Sequence, residues 1–204
     1  DLGGLQPAPG VFDMDKLNWM NGHYLRQLSP SEIVTKVREF ALAESTAEYW
    51  EREANADKSV MPGLLLLNSA AATDLELVER AVQLEQERVV TLAEFGEACA
   101  FFFQDEPPFD PKAIEKWFAA SHARQLLEDL VTRFEGLDSC TPEDCESFIR
   151  SWAETNAMEK IGPVVHPTRV AMTGKTVGPG LFELMAALGP ARIVKRAKRA
   201  LAQI

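Results

Sequence analysis

The chain has 204 residues, 46% of them hydrophobic and 25% charged, with a formal net charge of -10. That is enough chain to bury a real core in one large domain or two small ones. No apolar run approaches the roughly 18 residues a membrane-crossing helix needs, the longest being Met61 to Leu67, and no leader is expected because the first residues lack a basic segment followed by an apolar one.

In chain order, residues 1–28 come first, rich in Gly, Pro and aromatic side chains. The chain opens Asp-Leu-Gly-Gly, which suits a boundary inside a longer protein. An aromatic helix carrying Trp19, Tyr24 and Leu25 is expected there, with those side chains packed. Ser29-Pro30-Ser31-Glu32 then has a Ser cap, Pro at the first helical position and Glu three residues after the cap. Ile33, Val37, Phe40 and Ala41 follow at helical spacing. Thr73-Asp74-Leu75-Glu76 and Thr91-Leu92-Ala93-Glu94 repeat that capping signature. Helices are predicted around 112–119, capped by Asp110, and 121–135, stopped by Gly136. Thr141-Pro142-Glu143-Asp144 starts another, leading into Phe148, Ile149 and Trp152. Gly162 to Pro167 is expected to interrupt helical periodicity and introduce the C-terminal segment. Strand patterns are weak, so the fold class is all-α: a helical array of two subdomains, 29–135 and 136–204.

Cys99, Cys140 and Cys145 are too few and too odd in number for a disulfide framework, which points to a reducing compartment. Cys140 and Cys145 lack the further ligands a zinc site needs. His23, His122 and His166 are isolated, and Gly174-Lys175-Thr176 lacks the earlier glycine of a phosphate loop, Arg169 standing there. No catalytic residue and no metal ligand is assigned. The charge is uneven: residues 160–204 sum to +7 and the remainder to -17. A basic end on an acidic body suits nucleic acid, since binding follows the local patch. It also suits a solvated helix face.

Arg169-Val-Ala-Met-Thr-Gly-Lys-Thr-Val-Gly-Pro-Gly-Leu-Phe182 reads helix, turn, helix. Thr173-Gly174 closes one helix; Gly178-Pro179-Gly180 opens the next, with Pro in its first turn. Pro179 and Leu181 could form an apolar ledge for an unstacked base, beside free N–H groups at the helix start. Arg169 and Lys175 could reach phosphates or base edges. The same residues also suit a plain interhelical turn with Leu181 and Phe182 in the core.

Two long stretches resemble one family. Residues 11–26, Val-Phe-Asp-Met-Asp-Lys-Leu-Asn-Trp-Met-Asn-Gly-His-Tyr-Leu-Arg, resemble the segment that joins the catalytic and anticodon halves of bacterial-type glutamyl-tRNA synthetases. Residues 167–185, with the basic tail behind them, resemble that family's C-terminal helical part, and Arg80 to Phe95 also fits. The resemblance implies an all-α anticodon-binding region of a glutamate–tRNA ligase, an ATP- and magnesium-dependent class I aminoacyl-tRNA synthetase. Residues 1–28 would then be the remnant of the joining segment. The family's His-Ile-Gly-His and Lys-Met-Ser-Lys-Ser motifs do not occur, so the chain alone is expected to be inactive and to hold no cofactor. By position, Arg88, Arg169, Gly178, Pro179 and Leu181 fall on anticodon contacts. Arg88 falls where discriminating members read the third anticodon base, with Gln86 two positions away. Gly178 stands where some relatives have Thr. The implied partner is glutamate-specific tRNA, with no DNA and no membrane, in a cytoplasmic monomer. The alternative is a helical protein-interaction module without RNA binding, suggested by the acidic body.

Overall fold

The first backbone N–H groups of a helix need acceptors, and among the described residues a capping side chain supplies one at five of the ten starts. The computed structural model of the chain describes residues 13–43 and 60–204. The Gly/Pro-rich residues 1–12 of the expected joining segment lie outside the described residues. Asp13 caps α1 (Met14–Leu25), accepting from the Lys16 N–H at 3.0 Å. Ser29 and Glu32 form the predicted reciprocal capping box at the start of α2 (Pro30–Leu42). Then come α3 (Val60–Ala71) and α4 (Leu75–Glu85). The α4 cap is Asp74 rather than Thr73, one residue beyond the predicted position, because the Asp74 carboxylate takes the Leu77 N–H.

Helix α5 (Glu94–Phe103) begins three residues after its predicted cap. Thr91 and Glu94 do pair, hydroxyl to carboxylate at 2.9 Å, but the other Glu94 oxygen accepts from the Val90 N–H. The pair therefore closes the turn before the helix instead of opening it. Asp110 caps α6 (Pro111–Trp117), and α7 (Ala123–Phe134) ends just before Gly136 at φ +80°. Thr141 and Asp144 make the second full capping box at α8 (Pro142–Thr155).

Gly162 to Pro167 does not interrupt a helix. It starts α9 (Gly162–Thr173), with one proline in the first turn and Pro167 inside. A proline within a helix leaves the carbonyl four residues earlier without its usual donor. Here that carbonyl belongs to Pro163, and the His122 ring donates to it at 2.9 Å. The last element is α10 (Leu181–Leu201), broken at Gly189, whose φ of 75° and ψ of 162° are not helical. Ten helices and no strand occur among the described residues.

Helices α2 to α5 pack on one another, and α6 to α10 do the same, with α10 lying against α4, α7, α8 and α9. One apolar cluster runs through both groups, from Ile33 and Val37 through Phe95 and Phe102 to Leu184 and Ile193. The closest crossing is α3 on α5. A Cβ on Gly63 would stand 2.5 Å from the Gly96 carbonyl carbon, so two bare backbones meet there. Arg196 is buried at the junction and donates to the carbonyls of Met172, Phe101 and Gln104 at 2.5, 2.6 and 2.9 Å.

Helix α1 departs from expectation. Only Gly22 and Leu25 are buried, while Trp19 and Tyr24 are exposed. The helix touches the body along one edge, and Trp19 stacks on His23 of its own next turn. Its end is pinned by Asn21, whose side-chain amide donates to the Val90 carbonyl, and by Gln86.

Candidate nucleic-acid interface

The chain between α4 and α5 carries Gln86 and Arg88, two residues apart and facing opposite ways. The Gln86 amide is buried and donates to the carbonyls of Leu25 and Leu28 at 2.8 and 2.9 Å. Arg88 is 44% exposed and lines a cleft of about 360 Å³. Glu85, Glu97, Phe101, Lys175 and Gly178 also line it. Glu85 lies at its floor, 5% exposed, and forms an ion pair with Arg88, its carboxylate 3.0 Å from the Arg88 Nε.

The opposite wall is the turn between α9 and α10. Gly174 ends α9 at φ +76°, and any Cβ there would run into the Pro108 carbonyl. Its own carbonyl accepts from the Asp110 N–H at 2.8 Å. The Thr173 hydroxyl accepts from the Lys175 N–H at 3.1 Å. Arg169 reaches forward from the last turn of α9 and donates to the Pro179 carbonyl at 2.6 Å. Lys175 crosses the cleft to pair with Glu97 at 3.1 Å.

The charges act on one another. Burial pushes the Glu85 carboxyl up to about 7, against the pull of Arg88, Lys175 and Arg169. Burial also pulls the Arg169 guanidinium below its usual value, helped by repulsion from Arg88 and opposed by Glu85. The Cys99 thiol, fully enclosed beneath the cleft, is driven well up by burial and by the nearby Glu85 charge. The cleft thus combines Arg88 and Lys175 with a buried carboxylate, and Arg169 stands close enough to act on both Glu85 and Arg88.

Residues 32–201 match a family profile described as an anticodon binding domain. The chain belongs to that family. The anticodon-binding domain is 35% identical over 193 residues to a glutamate–tRNA ligase of Thermus thermophilus, covering 94% of this chain and 35% of that protein. It is 33% identical over 190 residues to one of Moorella thermoacetica, covering 93% and 35%. A solved glutamate–tRNA ligase from Elizabethkingia meningosepticum, in complex with its amino acid, superposes at a TM-score of 0.73 and 23% identity, over 99% of this chain and 35% of that one. This domain therefore spans about a third of the length of the curated relatives it matches, and the solved relative bears out the all-α fold.

Of the predicted residues, Arg88 and Gly178 line the cleft, and Arg169 lies beside Gly178 without lining it. A Cβ on Gly178 would lie 3.1 Å from Arg169 Nη1, so a larger residue there displaces that guanidinium. Pro179 and Leu181 do not form an open ledge. Pro179 is buried and Leu181 is 4% exposed, because α10 begins at Leu181 with Gly180 as its cap, and Pro179 precedes the cap. The exposed apolar group on this turn is Val177, at 67%. The start of α10 is not an open anion site either, since the Glu183 carboxylate folds back over Gly180.

The basic tail of the anticodon-binding domain is likewise not an open patch. Arg196 is buried. Lys195 pairs with Asp105 at 3.0 Å and Lys198 with Glu135 at 2.7 Å. Arg199 stacks on Phe109 and donates to the Pro107 carbonyl. Sequence reasoning missed Glu85 and Val177. In the sequence Glu85 is one more carboxylate of an acidic stretch, and the available signal is its place among the apolar positions of α4.

Proposed function

We propose that this domain reads the anticodon of glutamate tRNA as part of a glutamate–tRNA ligase, an ATP- and magnesium-dependent enzyme of translation and so a cytoplasmic one. The carrying observation is that Arg88 and Gly178, far apart in the chain, line one cleft with Lys175, while Arg169 braces the turn beside Gly178. The ligase relatives support the choice of tRNA. None of the described residues is assigned to ATP or magnesium.

In this reading an unstacked anticodon base enters the cleft. Proteins read single-stranded bases through their exposed edges, with a side chain against the ring face. Glu85 holds the Arg88 Nε, leaving both Nη groups to donate to a base edge. This suits Arg88 to the third anticodon base, the discriminating arrangement. Arg169 anchors the turn through Pro179, and Val177 offers the apolar face that Pro179 and Leu181 do not. Lys175 leaves Glu97 to meet a phosphate, a small loss because exposed ion pairs are weak.

Gel shift or fluorescence binding to glutamate tRNA, with an anticodon-altered tRNA as control, tests this. Arg88→Ala should lose about tenfold or more of the preference for the native anticodon. Arg169→Ala should weaken binding by loosening the turn. Lys175→Ala should weaken both tRNAs alike and lower the salt slope by about 1. Equal binding to both tRNAs by the unaltered chain would sink the proposal.

A further inference from the structure

Glu85 occupies a costly place. It is the last residue of α4, where the helix dipole disfavours negative charge. Its side chain is 5% exposed, and a buried carboxylate is expensive unless paired and hydrogen-bonded. Surface glutamates are plentiful in this chain, so a buried one at a helix end is not explained by solubility or by helix formation. Its surroundings supply the reason. Arg88 faces it from the α4–α5 connection. Arg169 faces it from α9, Lys175 from the α9–α10 turn, and Cys99 from α5, where Glu94 and Glu97 complete the lining of the cleft.

An arginine on a loop, 44% exposed, would otherwise sample many rotamers and meet RNA as a mobile charge. One paired on its Nε side with a buried carboxylate presents its Nη donors in a more fixed plane. Specificity comes from such fixed donors, whereas mobile charge binds any phosphate.

We infer that Glu85 is the positioning residue for base recognition: it fixes the Arg88 guanidinium at the mouth of the cleft, and so converts a general RNA contact into a selective one. This rests on the anticodon-reading proposal above. Glu85 need not touch RNA. When it is neutral, Arg88 is released, selectivity falls, and general affinity is kept or rises, because one negative charge has left the cleft.

The test is binding of the full chain to glutamate tRNA and to the anticodon-altered tRNA, at about pH 8 and about pH 6, chosen to lie either side of the Glu85 titration. At the higher pH, Glu85→Gln should reduce the preference for the native anticodon about tenfold, while affinity for the altered tRNA stays within about twofold or increases. Glu85→Asp, which keeps the charge, should retain part of the preference. The unaltered chain should lose preference as pH falls, and Glu85→Gln should show a flat profile. In an Arg88→Ala background Glu85→Gln should change the preference no further. A folded Glu85→Gln protein with full preference overturns the inference, as does an equal loss of affinity for both tRNAs, which would mark a merely structural role. Should Glu85→Gln fail to fold, a flat pH profile in the unaltered chain overturns it alone. An unaltered chain with no anticodon preference at either pH overturns the anticodon-reading proposal and this inference together, whereas a preference that Glu85→Gln keeps overturns only the inference.

Discussion

At neutral pH and above, Glu85 carries a buried charge that costs the fold free energy. Its carboxyl is raised from 4.5 to about 7, with burial as the main cause. A raised acid binds its proton more tightly in the folded state than in the unfolded one. Its contribution to stability is therefore complete below about pH 4.5 and is lost as pH rises through about 7. The shift corresponds to a loss on the order of 3 kcal/mol across that window. Asp105, Asp144 and Glu32 act in the opposite sense. Their carboxyls are held below the usual range, by Lys195 for Asp105 and by capping hydrogen bonds for the other two. A melting curve of the unaltered chain alone mixes these effects, but Glu85→Gln removes one. Thermal melts at about pH 5 and about pH 8 should show Glu85→Gln gaining stability relative to the unaltered chain at the higher pH. An unchanged difference between the two proteins at both values would contradict the buried charge. At this scale the sequence showed Arg88 but not its partner, because a glutamate's burial depends on helices distant in the chain. It also left Gln86 and Arg88 interchangeable, and only three-dimensional packing sets the first inward under α1 and the second into the cleft.

Among the elements, the helices were legible where a cap satisfies its own backbone within three residues. Ser29 with Glu32, and Thr141 with Asp144, are local hydrogen-bond loops needing no tertiary help. The prolines at 163 and 167 misled for the converse reason: helix α9 survives there because His122, 41 residues from Pro163 in sequence, takes over the orphaned carbonyl. The start of α10 was misplaced because Gly178, Pro179 and Gly180 are equally good helix openers, and the turn is set by Arg169 holding the Pro179 carbonyl. The crossing of α3 on α5 was also invisible, since it depends on two glycines distant in the chain, Gly63 and Gly96. A methyl group at Gly96 would fall 2.6 Å from the Leu64 nitrogen, and backbone cannot yield as a flexible side chain can. Gly96→Ala should therefore destabilise the domain by about 1–3 kcal/mol, the usual range for overpacking, despite alanine's better helix propensity. Chemical denaturation checks it. A stabilised Gly96→Ala would mean that the helices can separate freely. Because α5 also carries Glu97 and Phe101 into the cleft, the same substitution should weaken tRNA binding while leaving the preference set by Arg88 intact.

For the whole molecule, the distribution of charge decides where RNA can lie. The net charge of -10 repels a polyanion at long range, so attraction must come from cations whose field is not already cancelled. The +7 segment looked like that source in the sequence, where only the linear order of charges is visible. In the fold, Lys195 and Lys198 each lie within 3.0 Å of a carboxylate, and Arg196 spends its donors on three carbonyls inside the core. A paired lysine contributes little net field beyond a few ångströms, and neither of these two lines the cleft. The cleft cations differ. Arg88 keeps two Nη groups unspent by Glu85, and Lys175, though paired with Glu97, lines the cleft itself. Each ordered phosphate contact made by a cation adds about 0.9 to the slope of log affinity against log salt. Replacing Lys195 and Lys198 together by Ala should thus leave that slope unchanged and shift tRNA affinity by less than about twofold. The measurement is a binding titration at several salt concentrations with the unaltered chain alongside. A slope lowered by about 2 would place RNA along the last turns of α10 instead, and would mean that Asp105 and Glu135 give up their lysines to phosphate.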